Sequence, residues 1–373
     1  MDQLSKITLR GFKSIREVKN FSFKPLNILI GSNGAGKSNF ISFFKMLSWM
    51  TSAPNFQEII GRWGGANSLL FYGAASTPQI EACLTFASPQ GTNEYYIRLA
   101  HAANDTFIFA EEKYRFSRKS HSGEAPWTSL DAGHREAKLI SAAQMQTDRT
   151  ARFILNILKR CVVYQFHNTT DTARIRQRWA KDENIFLRED GCNLAPMLYR
   201  YQNEYPKYYT RIIETIRLIA PFFGDFYLEP ENGSIMLRWT EAGSDMIFGP
   251  SQASDGTLRM LALVTLLMQP EELLPNVIIL DEPELGLHPF AINVISGLIK
   301  SISSKSQVIL ATQSPYLLDF FEPDDVIIVE RAKAGRTRQE SAFNRLDPEN
   351  LKDWLKEYTP SELWEKNVIG GNP

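Results

Sequence analysis

Cysteine is scarce in this chain. Cys83, Cys161 and Cys192 among 373 residues are too few, too widely spaced and odd in number for a disulfide framework or a metal-binding set. Net charge is nearly absent too. The 41 Lys and Arg against 42 Asp and Glu leave −1, so any nucleic-acid contact must come from a local basic patch rather than a global field. The opening Met1-Asp2-Gln3-Leu4-Ser5-Lys6 has no apolar signal core. The longest apolar stretch, around Leu258–Met268, contains Arg259 and is too short to cross a bilayer. These absences lead us to expect a cytoplasmic protein in reducing surroundings.

What is present is ordinary for a globular chain, with 43% hydrophobic and 22% charged residues. The length allows one large domain or two ordinary ones. Val277-Ile278-Ile279-Leu280 reads as a strand buried on both faces. It ends in two adjacent carboxylates, Asp281 and Glu282. Like charges at the carboxyl end of a buried strand call for a cation, a proton to move, or both. An ordinary acidic turn would look the same, and a second segment decides between them. Leu26-Asn27-Ile28-Leu29-Ile30 runs directly into Gly31-Ser32-Asn33-Gly34-Ala35-Gly36-Lys37-Ser38, which satisfies the phosphate-binding pattern G-x-x-x-x-G-K-[ST] in full. Glycines let backbone N–H groups close around phosphates, Lys37 reaches the β- and γ-phosphates, and the Ser38 hydroxyl ligates Mg²⁺. Phe40, Phe43, Phe44, Leu47 and Met50 recur at helical spacing, supplying the helix whose positive end faces the anion.

The remainder divides by pattern. Residues 1–56 form the first half of the nucleotide-binding head. Residues 57–130 hold short alternating strands around Ile80–Phe86, Tyr95–Leu99 and Thr106–Phe116, an antiparallel meander, followed by a polar loop over 118–133. Residues 131–245 read as a mainly helical lobe with one strand-like run, Cys161–Phe166. Arg174, Arg176, Arg178 and Lys181 cluster just after that run. They fit a phosphate-gripping patch or a solvated helix face. The aromatics between 199 and 228 read mostly as core. Residues 246–345 form the second half of the head. There Ser254-Asp255-Gly256-Thr257 opens an apolar helix and makes a second anion site by geometry. The first loop already has its own phosphates, so this one suits a phosphate held by another subunit. Residues 346–373 form a charged, amphipathic tail, with a flexible end at Gly370-Gly371-Asn372-Pro373.

Taken together, the segments resemble the ABC-type ATPase heads of the RecF, SMC and OLD group, and among these the stand-alone AAA-21 and AAA-15-like ATPases. Gly31–Ser38 corresponds to Walker A, Ser254–Thr257 to the ABC signature, Val277–Glu282 to Walker B with its following Glu, and Glu284–Pro289 to the D-loop. Leu9-Arg10-Gly11-Phe12-Lys13-Ser14 and Phe23-Lys24-Pro25-Leu26-Asn27 also look like this group. The resemblance covers residues 1–50 and 245–330 well and the middle poorly. It implies an α/β P-loop fold of ABC type, with an antiparallel β subdomain and a helical lobe inserted between Walker A and the signature. ATP and Mg²⁺ are the implied ligands. Gly31, Asn33, Gly34, Ala35, Gly36, Lys37, Ser38 and Asn39 would hold the nucleotide. Ser38 and Asp281 would hold the metal, with Gln165 as the Q-loop ligand. Glu282 would orient or deprotonate the attacking water. Ser254, Gly256 and Thr257 would cap the γ-phosphate of a nucleotide on a second protomer, giving a head-to-tail homodimer.

One departure stands out. Where the group carries a switch histidine, this chain has Thr312-Gln313-Ser314. His288 belongs to the D-loop, and the other histidines precede residue 170 and are not expected nearby. Gln313 can donate to the γ-phosphate but cannot carry a proton at neutral pH; some members of the group have Gln here, so hydrolysis is still expected, at a slow rate. No Asn-Lys-x-Asp occurs, which disfavours GTP, and no sustained heptads supply long coiled-coil arms. About forty residues follow Val329, too few for the nuclease domain of OLD-type proteins. The expectation is therefore an ATPase subunit controlling a separate effector, a nuclease or toxin, in anti-phage defence or DNA maintenance. The alternatives are an ATP-gated scaffold with negligible turnover, and a RecF-like DNA-repair loader using Arg174, Arg176 and Arg178.

Overall fold

The computed structural model describes residues 2–52, 55–120, 123, 125–145, 147–334 and 338–371. Its centre is a six-stranded sheet. The strands Val326–Ala334, Leu26–Ile30, Gln307–Thr312, Val277–Asp281 and Cys161–Tyr164 run parallel in that spatial order, and Arg338–Arg345 adds an antiparallel edge. Strands covered on both faces should be apolar throughout, and Leu26–Ile30, Val277–Asp281 and Gln307–Thr312 are buried at every position. Alternate side chains then enter different cores. Leu29, Val277 and Ile279 face one cluster, while Ile28, Ile30, Ile278 and Leu280 face the other.

The first core contains the helix Lys37–Ser52, clamped between the parallel sheet and a second, antiparallel sheet. Phe40, Phe43 and Phe44 fill the gap at 0–1% exposure, in edge-on contacts with one another and with Phe12. The antiparallel sheet runs in the order Ile15–Ser22, Gln3–Phe12, Gln79–Ala87, Gly91–Ala102, Thr106–Arg118 and Thr128–Ser129. The meander is thus present, but residues 3–22 belong to it rather than to the parallel sheet, so a boundary at residue 56 crosses this sheet. Gln307 joins the two sheets. Fully buried, it accepts from the Leu4 N–H at 3.0 Å and donates to the carbonyls of Leu4 and Lys24, each at 2.9 Å.

The second core packs the helices Leu194–Glu204, Pro206–Ile219, Asp255–Leu267 and Pro289–Ser303 on the opposite face. Tyr201, Tyr209, Phe223 and Phe226 are buried here, whereas Phe222 is 48% exposed. The middle of the chain is less uniformly helical than its pattern suggests. Cys161–Tyr164 is an edge strand of the parallel sheet, and Phe223–Phe226, Trp239–Glu241 and Ile247–Phe248 form a small antiparallel sheet. In the polar loop, His121, Ser122 and Glu124 lie outside the described residues. Gly370 and Gly371 are anchored rather than free, since the Gly371 carbonyl accepts from the Ser32 N–H at 3.1 Å. Asn372 and Pro373 lie outside the described residues. Among the described residues no helix is long and apolar enough to cross a membrane.

Candidate active site

Register decides which side chains meet. Thr312 pairs with Ile30, Ala311 with Asp281, and Leu280 with Tyr164. Gly31, Gln313, Glu282 and Gln165 therefore leave the sheet along one carboxyl edge, where open α/β sheets bind ligands. The glycines of the loop answer different needs. A Cβ at Gly31 would lie 2.0 Å from the Val329 carbonyl oxygen, so that glycine is required by close approach of the neighbouring strand. Gly36 has φ of +121°, and a Cβ there would lie 2.0 Å from the Ser341 hydroxyl. Lys37 is 5% exposed, and its ammonium donates to the carbonyls of Gly31 at 2.5 Å and Ser32 at 3.2 Å. Burial holds its pKa below the ordinary lysine value, against the opposing pull of Glu282, Asp281 and Glu284.

Asp281 is 7% exposed and accepts from the Gln165 amide at 2.5 Å. Burial pushes its carboxyl above the usual range, while Gln165 and His167 pull it down. Glu282 sits at φ of +45°, a left-handed conformation costly for a side-chain-bearing residue. Its N–H donates to Ala311 at 2.8 Å, and its carboxylate accepts from the Gln313 amide. The turn thus points the glutamate at the residue standing in the switch position.

A nucleotide loop beside two carboxylates and a strand-end amide makes a particular kind of head, and comparison identifies it. Residues 26–319 match the family model described as "AAA domain, putative AbiEii toxin, Type IV TA system". The chain belongs to this AAA-21 family. Its fold is similar to that of the Smc head bound to the C-winged helix domain of ScpA, with a TM-score of 0.61 at 15% identity over 94% of this chain and 99% of that one. It is likewise similar to the Smc head domain with an extended coiled coil bound to the C-terminal domain of ScpA derived from Pyrococcus furiosus, with a TM-score of 0.54 at 14% identity over 96% and 99%. These likenesses show the fold, and with the family match they show an ABC-type P-loop head, an ATPase of AAA/ABC type. No curated protein matches the sequence.

The residues of this AAA-21 head suit ATP and Mg²⁺. The exposed Ser38 hydroxyl and the Asp281 carboxylate are the hard oxygen donors that Mg²⁺ takes, and the first N–H groups of the helix from Lys37 have no partner within it. The metal, when bound, would neutralise phosphate charge. Gln165 lies beside Asp281, but its amide oxygen accepts from Lys45 of the P-loop helix, so the atom a cation would use is turned to an ammonium. Asn39 donates to the Ser14 hydroxyl at 2.7 Å, and Asn33 is exposed at the loop tip.

The signature is built separately. The Ser254 hydroxyl caps its helix by accepting from the Thr257 N–H at 3.1 Å, and the two hydroxyls lie 2.8 Å apart. Gly256 abuts the D-loop, where a Cβ would come within 2.4 Å of the Gly286 carbonyl oxygen. Arg259 ties this corner together, donating to Phe166 at 3.1 Å, His167 at 3.0 Å and Leu285 at 2.9 Å.

Two expectations need correction. A histidine does reach the Walker B strand: Nε2 of His167 donates to the Asp281 carbonyl at 2.7 Å. Sequence distance conceals it, since His167, three residues beyond Cys161–Tyr164, comes close only once that strand pairs with Val277–Leu280. The arginine cluster is not one uniform patch, for Arg176 is turned into the fold while Arg174, Arg178 and Lys181 are exposed. Arg176, 9% exposed, spends its guanidinium on the carbonyls of Thr169, Pro250 and Ala253 and on Asp255. Arg174 pairs with Asp190 at 2.9 Å and stacks on Trp179, and Arg178 pairs with Glu231 at 2.6 Å. Lys45 and Thr312 were also missed, for nothing in a single sequence marks a helical lysine or a strand-end threonine.

Proposed function

We propose that this chain is the ATP-hydrolysing subunit of a two-component system. Two copies close head to tail on ATP–Mg²⁺, and the nucleotide state governs a separate effector, a nuclease or a toxin, in anti-phage defence or DNA maintenance. The observation that carries the reading is the carboxylate of Glu282, turned by its left-handed backbone onto the Gln313 amide beside Asp281 and near Lys37. There it can orient or deprotonate water, while Lys37 and the loop N–H groups stabilise phosphate charge. Dimerisation is supported by exposure of Ser254, together with Leu285 and Phe290 at 45% each, on the corner formed by signature and D-loop. A Gln at position 313 cannot take up a proton, so turnover is slow. Solved Smc heads of this fold are bound to domains of ScpA, which supports a protein partner here. The family description places its members in a toxin–antitoxin setting, in keeping with a defence role.

Light scattering with and without ATP–Mg²⁺, for wild type and Glu282→Gln, with phosphate release followed in parallel, tests the proposal. ATP-driven doubling of mass, prolonged in the variant as slow turnover disappears, is expected. A mass indifferent to ATP with no phosphate released would overturn it. Gln313 also favours a second reading, an ATP-gated scaffold in which turnover is incidental. In that case Glu282→Gln keeps or locks on the biological output instead of losing it. Of the RecF-like loader's proposed DNA contacts, Arg176 is engaged within the fold, whereas Arg174 and Arg178 stay exposed in surface ion pairs.

A further inference from the structure

We propose that Glu284 is a positioning residue that sets the Gln313 amide against Glu282, acting through the Thr312 hydroxyl. This rests on the ATPase reading above and assigns a role that the Walker B and switch residues alone do not supply.

The turn after the acidic strand and the turn after Gln307–Thr312 are joined by three crossbars. One is the backbone bond from the Glu282 N–H to the Ala311 carbonyl at 2.8 Å. The second is the Gln313 amide on the Glu282 carboxylate. The third runs from the Thr312 hydroxyl to Oε1 of Glu284. The same Thr312 oxygen accepts from the Ser314 N–H at 2.9 Å. Gln313 is therefore flanked on both sides by groups fixed through one hydroxyl, and Glu284 fixes that hydroxyl. A glutamine side chain has three rotatable bonds, so holding its backbone is what makes one amide direction persist.

Glu284 is an expensive way to tie a turn. Its second oxygen, Oε2, is buried without a hydrogen-bond partner, and burial raises its carboxyl above the ordinary glutamate range, with Glu282 adding like-charge repulsion. The Thr312 hydroxyl and the backbone N–H groups of Glu284 and Gln313 pull the other way. A turn serving only to reverse the chain would be better satisfied by a neutral side chain. A carboxylate is the stronger acceptor for a hydroxyl that must not rotate.

The test is steady-state ATP turnover by the full chain carrying Glu284→Ala, Thr312→Val or Thr312→Ser, each with and without Gln313→Ala. Glu284→Ala and Thr312→Val should each lower kcat about tenfold, with KM for ATP within about twofold of wild type. Thr312→Ser, which keeps the hydroxyl, should recover most of that loss. In the Gln313→Ala background neither Glu284→Ala nor Thr312→Val should slow turnover further, since the group they position is gone. A purely structural role predicts the same loss in both backgrounds, and that result overturns the inference, as does an unchanged kcat or a loss confined to KM. Should Glu284→Ala fail to fold, Thr312→Val decides alone. Absence of turnover in wild type overturns the ATPase reading and this inference with it, whereas normal wild-type turnover with unaffected variants overturns this inference only.

Discussion

Arg176 separates a structural account of the arginine cluster from an electrostatic one, and the two predict opposite experiments. Its side chain is 9% exposed. Nε donates to Thr169 at 2.8 Å, one terminal nitrogen donates to Pro250, and longer contacts of 3.4 Å reach Ala253. A hydrogen bond from a charged donor contributes about 1.5–3 kcal/mol net, and long ones much less. With two good bonds and no credit for the exposed Asp255, Arg176→Ala should cost about 3–6 kcal/mol, part of it from carbonyls left unpaired in a tight space. Arg176→Lys should recover little, because an ammonium cannot reproduce a planar fork spread over three carbonyls. The segment Pro250–Ala253 leads directly into Ser254, so the loss should also loosen the signature cap and weaken ATP-driven dimerisation. Urea unfolding followed by far-ultraviolet circular dichroism gives the stability, and light scattering with ATP–Mg²⁺ gives the dimer. An unchanged urea midpoint in Arg176→Ala, with DNA affinity lost and its salt slope reduced by about one, would refute the structural account.

Gly36→Ala combines a left-handed backbone with a Cβ 2.0 Å from the Ser341 hydroxyl, so ATP affinity measured by calorimetry should fall more than about a hundredfold while the sheets stay folded. Gly256→Ala places a Cβ 2.4 Å from the Gly286 carbonyl oxygen and should push signature and D-loop apart. The mass increase with ATP should then be lost, with ATP binding by the single head retained. The pH profile of kcat/KM, which reports the free enzyme, should be narrowed from both sides. Asp281 must be charged to hold Mg²⁺. Burial raises its pKa, so the acid limb falls at a higher pH than an exposed aspartate would give. Lys37 must also be charged. Burial lowers its pKa, so the alkaline limb falls at a lower pH than an ordinary lysine would give.

The sequence made the phosphate loop and the acidic strand legible because each combines a local motif with a local periodicity. Leu26–Ile30 and Val277–Asp281 are short apolar runs ending in chemistry, and nothing elsewhere in the chain alters that. The meander over 79–118 could be read from strict alternation. The allegiance of residues 3–22 could not, because alternation does not say which sheet a strand joins. The run Cys161–Phe166 reads as strand-like but within a helical middle, and the strand itself is Cys161–Tyr164. Its membership of the parallel sheet depends on pairing with Val277–Leu280, more than a hundred residues away. That pairing is also what brings His167 to Asp281. The arginines illustrate the opposite limit. Composition shows how many charges a segment carries, and only packing shows that Arg176 points inward.

The P-loop itself shows why the motif does not suffice to build the site. Its far end is held by residues from distant parts of the chain. The Ser341 hydroxyl lies 2.6 Å from the Ala35 carbonyl oxygen and 2.8 Å from the Ser14 hydroxyl, and the Asn39 amide donates to that same Ser14 oxygen. The Ser341 N–H completes the link, donating to the Ser14 carbonyl at 2.8 Å. Gly36 must be glycine partly because Ser341 occupies the space its side chain would need. Ser14 follows the first strand of the antiparallel sheet, and Ser341 lies in the antiparallel edge strand of the parallel one. Beside the Gln307 link, the two sheets thus also meet at the loop residues Ala35, Gly36 and Asn39, so the shape of the loop depends on how the sheets are packed.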